Sequence, residues 1–169
     1  MKLHVQHDLP IPAKTAWEIF ESEAFDARLE EAANIRCELL DEAKEGDVTV
    51  RRLRYTSKTD LPTIVAKALG SKQLTYLQTN RFDPASSTLS WTVELPFGGE
   101  RVSVGGITTI TDTETGSRRV VDGDIEVKIR LVGGQIEKAV AAQFEKSMER
   151  AVQLAKEIAE EEGAEADAG

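Results

Sequence analysis

The chain has 169 residues, of which 40% are hydrophobic, 30% charged and 5% aromatic, and its formal net charge is −9. This length fits one domain with a sizeable core, and no apolar run is long enough for a membrane-spanning helix. Six carboxylates fall in the last thirteen residues, which contain no Lys or Arg. Because binding to phosphates needs clustered cations, the composition argues against nucleic acid as a partner. We expect residues 1–162 to form one domain and residues 163–169 an acidic disordered tail.

The first elements are predicted to be a strand and two short helices. Apolar and polar residues alternate from Lys2 to Leu9, which is typical of a half-buried strand. Pro12 suits the first turn of a helix that runs to about Ser22. A second short helix is predicted from there to about Asn34.

Six further strands are predicted, each a run of apolar and β-branched residues bounded by turn residues. They are Ile35–Glu42, Val48–Ser57, Gln73–Phe82, Thr88–Leu95, Arg101–Thr113 and Arg118–Leu131. Residues 61–70 interrupt this series, because they are apolar at helical spacing and end in a glycine. They predict a short helix or lid near one end of the sheet. Gly105 and Gly106, inside a strand, predict a bulge or a bend.

The chain is predicted to end in one long amphipathic helix, from Gly134 to about Glu161. Apolar residues recur there at steps of three and four and form a single stripe. The stripe consists of Ile136, Val140, Phe144, Met148, Ala151, Ala155 and Ile158. The pattern predicts an α+β fold, in which a curved seven-stranded antiparallel sheet wraps around this helix and leaves a space between them.

This order of elements resembles the helix-grip fold of the START-like (SRPBCC, Bet v 1-like) superfamily, which includes lipid-transfer domains and polyketide cyclases. A closer resemblance is to the bacterial domain of unknown function 2505 family. It is carried by Leu61-Pro62, by residues 105–109 and 116–118, and above all by residues 127–138, which contain the run Leu-Val-Gly-Gly-Gln-Ile-Glu-Lys. Two positions depart from the family, since Arg130 stands where Pro is frequent and Phe82 where Trp is frequent. The family brings no catalytic residues to carry over.

Residues that carry chemistry are few. His4 and His7 are three apart on a strand and point to opposite faces, so no metal site is expected, and His7 is interpreted as a partly buried histidine with a hydrogen bond. The single cysteine, Cys37, is interpreted as a small apolar filler rather than a nucleophile. No Gly-rich phosphate loop is present. We therefore expect no catalytic residue, no metal and no cofactor. The single cysteine and the absence of an apolar leader favour the cytoplasm.

The basic run Arg51-Arg52-Leu53-Arg54 allows two interpretations. Arg52 and Arg54 share one face of the predicted strand, and Arg51 shares the other with Leu53 and Tyr55. One set would then meet an anionic group in the interior, with Arg52 as the candidate anchor. Alternatively, the arginines lie at a solvated strand end and pair with nearby carboxylates.

The function that this container suggests is non-catalytic binding of an apolar or amphipathic, lipid-like small molecule. The candidate cavity wall consists of Arg52, Tyr76, Trp91, Ile107, Ile125, Val127, Val140, Phe144 and Met148, with residues 61–69 as a candidate gate. The sequence leaves open whether these apolar residues line a cavity or fill a core, and whether Tyr76 and Trp91 instead form a cross-strand pair. Two alternatives stand beside binding: an enzyme of the cyclase or hydrolase type, and a protein-interaction module with a filled interior.

Overall fold

In the computed structural model, a seven-stranded antiparallel sheet packs one face against a long C-terminal helix. The structure describes the backbone of residues 1–168 and the side chains of residues 1–163. The elements are β1 Lys2–Leu9, α1 Ala13–Phe20, α2 Glu23–Ala32, β2 Ile35–Glu45, β3 Val48–Ser57, α3 Thr63–Leu69, β4 Thr75–Asp83, β5 Thr88–Glu94, β6 Val102–Thr113, β7 Gly116–Val127 and α4 Gly133–Ala168.

The strand order explains where the helices must lie. The sheet runs β1-β7-β6-β5-β4-β3-β2, with every neighbouring pair antiparallel. Because β1 and β2 form opposite edges, the chain between them has to travel across the sheet, and α1 and α2 make that crossing. These two helices contact α4, β2, β6 and β7, and they cover one end of the sheet face that α4 also covers. We call that face the inner face.

The predicted α+β architecture is confirmed, including the two helices after the first strand. Ser22 caps α2, because its hydroxyl accepts a hydrogen bond from Phe25 N at 3.2 Å. The segment predicted as a helix or lid is the helix α3, which ends at Gly70 with φ +69°. The α4 stripe faces inward, and all of its members are buried except the half-buried Met148. None of the helices in the described part of the chain is both long and apolar enough to cross a membrane.

The last strand ends earlier than predicted, at Val127 rather than Leu131. The Glu137 carboxylate at the start of α4 accepts a hydrogen bond from Val127 N at 2.9 Å. A Cβ on Gly133 would clash with the Val127 carbonyl, so the helix begins in direct contact with the strand end. The intervening turn carries Leu131 at φ +73° with 93% of its surface exposed, so Leu131 is not part of the strand to which it was predicted to belong.

Of the bulge or bend predicted at Gly105 and Gly106, the bulge is not found, and the bend stays a prediction. The pairing of β6 with β5 and with β7 keeps one register through both glycines. The irregularity lies in β2 instead, between Leu39 and Asp41. Gly106 has a different role, because its missing side chain makes room for the indole ring of Trp91.

The acidic tail predicted for residues 163–169 lies almost wholly outside the described side chains. The backbone of α4 is helical to Ala168, beyond the predicted end near Glu161. Disorder of this segment remains a prediction.

Candidate functional site

The interior contains a cavity at the end of the sheet that α1 and α2 cover. Its volume is about 140 Å3, and residues from α1, α2, six strands (β2 to β7) and the middle of α4 line it. All four Trp and Tyr residues of the chain and three of its five Phe residues line this space. The seven are Trp17, Phe20, Phe25, Tyr55, Tyr76, Trp91 and Phe144. A chain poor in aromatic residues has therefore collected most of them around one cavity.

The aromatic rings contact one another in two groups. Tyr55 and Tyr76 stack at 5.3 Å between ring centroids, and Phe144 lies 5.5 Å from Tyr76 and 5.9 Å from Trp91. On the helical side, Phe20 and Phe25 meet edge to face at 5.3 Å. Tyr76 therefore pairs across strands with Tyr55, and the alternative pairing of Tyr76 with Trp91 is not found.

Both tyrosine hydroxyls are neutral in this environment. Burial raises the pKa of Tyr76 and of Tyr55 well above their usual range. They can donate or accept a hydrogen bond but do not supply a negative charge to the cavity.

A wider groove, with a volume of about 630 Å3, lies directly outside the cavity. α1, the tips of the β2–β3 and β4–β5 hairpins and residues close to those tips form its walls. Trp17, Glu21 and Arg51 line both spaces. These three side chains form the boundary between cavity and groove, so they stand where a ligand would enter.

Arg51 is the inward arginine of the basic run, and two carboxylates balance its charge. Its guanidinium donates a hydrogen bond to Asp26 Oδ2 at 2.8 Å and lies 3.8 Å from Glu21 Oε2. Only 6% of Arg51 is exposed. Burial raises the pKa of both carboxyl groups, and the nearby guanidinium only partly opposes the shift. Arg51 and Asp26 thus form a buried ion pair, and Glu21 is a second carboxylate beside it whose pKa is raised.

Arg119 also lines the cavity, and the sequence analysis missed it. It lies on the inner face of β7, opposite His7 of β1, and its guanidinium carbon is 5.2 Å from the ring centroid of Phe20. Its Nη1 is buried and has no hydrogen-bond partner among the described residues. The sequence did contain a signal for Arg119, because strand alternation places it on the same face of β7 as the inward residues Val121 and Ile125.

Uncharged polar groups complete the cavity lining. Asn80 and Thr108 are 7% and 3% exposed and lie on inner-face positions of β4 and β6. Gln78 Nε2 donates a hydrogen bond to Asn80 Oδ1 at 2.8 Å. The wall is therefore mostly aromatic, with a small polar surface on the sheet side, as ligand pockets commonly are.

The predicted wall residues separate into three groups. Tyr76, Trp91, Phe144 and Met148 line the cavity. Ile125, Val127 and Val140 are at most 5% exposed and belong to the packed part of the core, away from the cavity. Whether any of them touches a ligand stays a prediction.

The third group, Arg52 and Ile107, points to the outer face, and their assignment to the wall is wrong. The Arg52 side chain is 47% exposed and pairs with Asp41 at 3.1 Å, and Ile107 is 49% exposed. The alternation of a strand fixes which residues share a face, but it does not say which face is inward. For Arg52 and Arg54 the interpretation as solvated arginines paired with carboxylates is correct. The candidate gate, residues 61–69, does not contribute to the cavity lining.

The remaining reactive groups considered in the sequence analysis are Cys37 and the histidines. Burial raises the pKa of the Cys37 thiol to about 11, so the thiol is protonated and a poor nucleophile at neutral pH. His7 is largely buried, and its Nε2 lies 3.0 Å from Glu149 Oε2, as predicted for a histidine with a hydrogen bond. No group of three or more His, Cys, Asp or Glu side chains in the described part of the chain is placed to hold a metal ion.

Comparisons with known proteins agree with this geometry. The sequence model of the family described as "Protein of unknown function (DUF2505)" matches residues 4–158. None of the curated proteins matches the chain.

Several solved structures share the fold. A START superfamily protein from Mycobacterium smegmatis is 15% identical with a TM-score of 0.63, covering 93% of this chain and 98% of its own. The Zhui aromatase/cyclase from Streptomyces sp. R1128 is 14% identical with a TM-score of 0.62, and the coverage is 92% and 94%. Ara h 8.0201 is 15% identical with a TM-score of 0.61, and the coverage is 92% and 97%. At these identities the likeness is one of fold.

Proposed function

The chain belongs to the DUF2505 family of proteins of unknown function and has a START-like fold, and we propose that it binds a small apolar or amphipathic molecule, without catalysis, in the cavity between sheet and helices. The observation that carries this proposal is the collection of seven aromatic side chains around one cavity. Aromatic and apolar walls with a few polar groups are the usual composition of small-molecule sites.

The size of the cavity limits the part of the ligand that enters it. An apolar cavity of about 150 Å3 holds a benzene molecule, and the volume here is about 140 Å3. The inner space therefore accommodates a body of about one aromatic ring. A longer, lipid-like ligand would extend past Trp17 into the outer groove, whose volume is about 630 Å3.

The proposal also includes the cellular compartment in which the protein binds its ligand. We take this to be the bacterial cytoplasm, which accords with the single, protonated cysteine. The ligand comes directly from solution or from another protein.

A binding experiment with a cavity-filling variant tests the proposal. Native mass spectrometry of protein purified from its own host is expected to show a bound small molecule, and a fluorescent ring-containing probe is expected to bind saturably. Met148→Trp places an indole at the cavity wall and should abolish binding. Gln143→Trp is the matched control, because Gln143 lies on the same helix but outside the cavity lining.

Two results would contradict the proposal. One is the absence of any apolar probe that binds with a Kd below about 100 μM, which corresponds to about −5.5 kcal/mol. The other is equal loss of binding in Met148→Trp and Gln143→Trp with both proteins folded. Either result would favour the interaction-module alternative, in which the interior serves only stability.

The enzyme alternative has one observation in its favour. Glu21 and Asp26 are carboxyl groups with raised pKa values at the mouth of the cavity, and such groups are common in active sites. Both are also held by Arg51, as structural carboxylates are. Glu21→Gln distinguishes the two, since a binding protein would keep its ligand affinity, whereas an enzyme that uses this acid would accumulate unconverted ligand.

A further inference from the structure

Arg119 is a half-buried cation that no carboxylate of the described residues balances, and its Nη1 is fully buried. None of the ion pairs formed by the described residues includes Arg119, and Nη1 has no hydrogen-bond partner. Burial alone lowers the pKa of its guanidinium, to about 10, with no contribution from any carboxylate. Leaving a buried charge unpaired is costly, so natural proteins rarely keep one without a use.

The other cation of the cavity is in a different situation. Arg51 has Asp26 at 2.8 Å and Glu21 at 3.8 Å. Its strand, β3, is four strands away from β7 in the sheet. Arg51 thus holds both carboxylates at the mouth of the cavity. Arg119 lies on the opposite side of the cavity and pairs with no carboxylate of the described residues.

The surroundings of Arg119 leave its donors available. The guanidinium carbon lies 5.2 Å from the centroid of the Phe20 ring, a cation–π contact that attracts the charge but does not occupy Nη1, which has no hydrogen-bond partner among the described residues. Thr108 lies on the neighbouring strand, diagonal to Arg119, because Thr108 pairs with Val121 and Arg119 with Ile110. Such diagonal positions are within reach of a long side chain. The Thr108 hydroxyl is a second donor on the same part of the wall.

We propose that Arg119 binds the carboxylate of a small acid whose apolar body occupies the aromatic part of the cavity. This inference rests on the proposed function and adds the charge of the ligand to it. The guanidinium fork fits a carboxylate through two parallel hydrogen bonds. Thr108 donates a third.

The same observations select a singly charged acid over a phosphate ester. The guanidinium of Arg119 balances one negative charge on the ligand. A second negative charge would be repelled by the carboxylates of Glu21 and Asp26, which line the same cavity. A ring-sized body already takes up most of the volume of about 140 Å3, which favours the smaller, planar carboxylate over a tetrahedral phosphate group.

Calorimetric titration with matched acids and amides tests the proposal. The probes are benzoate, 3-phenylpropionate and 4-phenylbutyrate, each beside its primary amide, which has the same shape without the charge. For the natural chain, we expect the best acid to bind at least tenfold more tightly than its amide, a difference of about 1.4 kcal/mol. In Arg119→Gln this preference should vanish, and in Arg119→Lys part of it should remain. Arg54→Gln is the matched control, because Arg54 is an exposed arginine paired with Glu38 on the outer face.

Stability measurements separate an anchor from a structural residue. An anchor that is unpaired in the free protein should be dispensable for folding, so the melting temperature of Arg119→Met should equal or exceed that of the natural chain. A melting temperature lower by several degrees would assign Arg119 to the packing of Phe20 and overturn the proposal.

The outcomes distinguish this inference from the function on which it rests. If acids and amides bind equally well, the cavity binds small molecules but Arg119 is not an anion anchor, and the inference fails alone. If neither the acids nor the amides bind to the natural chain, the proposed function fails as well. A preference for acids that persists in Arg119→Gln would also overturn the inference.

Discussion

The two halves of the space between sheet and helices differ in how they are filled. In the first half, under the start of α4, Val121, Ile125 and Ile136 have no exposed surface, and Val140 has 2%. In the second half, under α1 and α2, the aromatic rings, the buried Arg51 and the half-buried Arg119 surround a cavity. Both halves are built from the same β-sheet and the same helix, so the difference comes from the side chains and from the crossing helices.

At the border between the two halves, where Trp91 belongs both to the core and to the cavity wall, missing side chains allow close packing. The indole of Trp91 lies against Gly106 and Gly123, where a Cβ would stand 2.6 and 2.9 Å from ring atoms. The hollow half has the opposite arrangement, because bulky rings on the sheet and α4, and a separate pair on α1 and α2, line one space without filling it. Tight packing stabilises the fold, and the gap left where rings meet provides the binding space.

The largest expected effect is at the border between the two halves, where Trp91 packs on Gly106. Gly106→Val would drive a side chain into the Asp122 carbonyl and the Trp91 ring, so we expect a loss of about 4 kcal/mol in the free energy of unfolding. Gly134→Ala is the control, since a Cβ there meets no atom within 4 Å. Urea denaturation of both variants measures the difference. Similar stabilities would show that Trp91 does not pack on the glycine.

The next prediction compares two residues of similar size on one helix. Ile136→Ala, in the packed half, should cost about 3 kcal/mol, because it leaves a cavity in a filled core. Met148→Ala should cost about 1 kcal/mol, because Met148 already borders an empty space. Equal costs in chemical denaturation would mean that the two halves are equally well packed.

The buried ion pair at the cavity mouth should make stability depend on pH. Arg51→Met leaves Asp26 and Glu21 buried without their cation, and we expect a loss of about 2 kcal/mol at pH 7. Because the pKa values of both carboxyls are raised in the folded state, the folded protein binds more protons than the unfolded chain between the ordinary pKa near 4 and the raised value. The contribution of these two groups to stability is therefore greatest below the unfolded pKa and falls as the pH rises through the folded one.

Thermal melts between pH 4 and 7 check this dependence. The fall should be steeper in Arg51→Met, where nothing offsets the two charges. Asp41→Asn, on the outer face, is the control and should leave the pH profile unchanged. A profile for Arg51→Met that runs parallel to that of the natural chain would show that the pair is not buried in solution.

The smallest effect is expected on the outer face. Ile107→Thr should change the free energy of unfolding by less than about 0.5 kcal/mol, because the side chain is 49% exposed on a strand. Ile110→Thr, three residues later and 1% exposed, is the matched inward substitution and should cost several times more. If Ile107→Thr proved the more costly, the two faces of β6 would be assigned the wrong way round.

Local patterns in the sequence determined the elements of this protein. The alternation from Val121 to Val127, the apolar stripe from Ile136 to Ile158, the cap at Ser22 and the stop at Gly70 each depend on neighbours a few residues away. For this reason the number and order of strands and helices could be predicted, with errors confined to boundaries such as the end of β7.

Only the tertiary structure decided which side of each strand faces inward and where the interior remains empty. Alternation placed Arg51 and Arg52 on opposite faces, but the sheet had to be covered by α1 and α2 before Arg51 became the buried one. Likewise, Ile125 and Phe144 both look like core residues in the sequence, yet one is packed and the other lines the cavity. A cavity is a distance between elements far apart in the chain, and no local pattern of residues encodes such a distance.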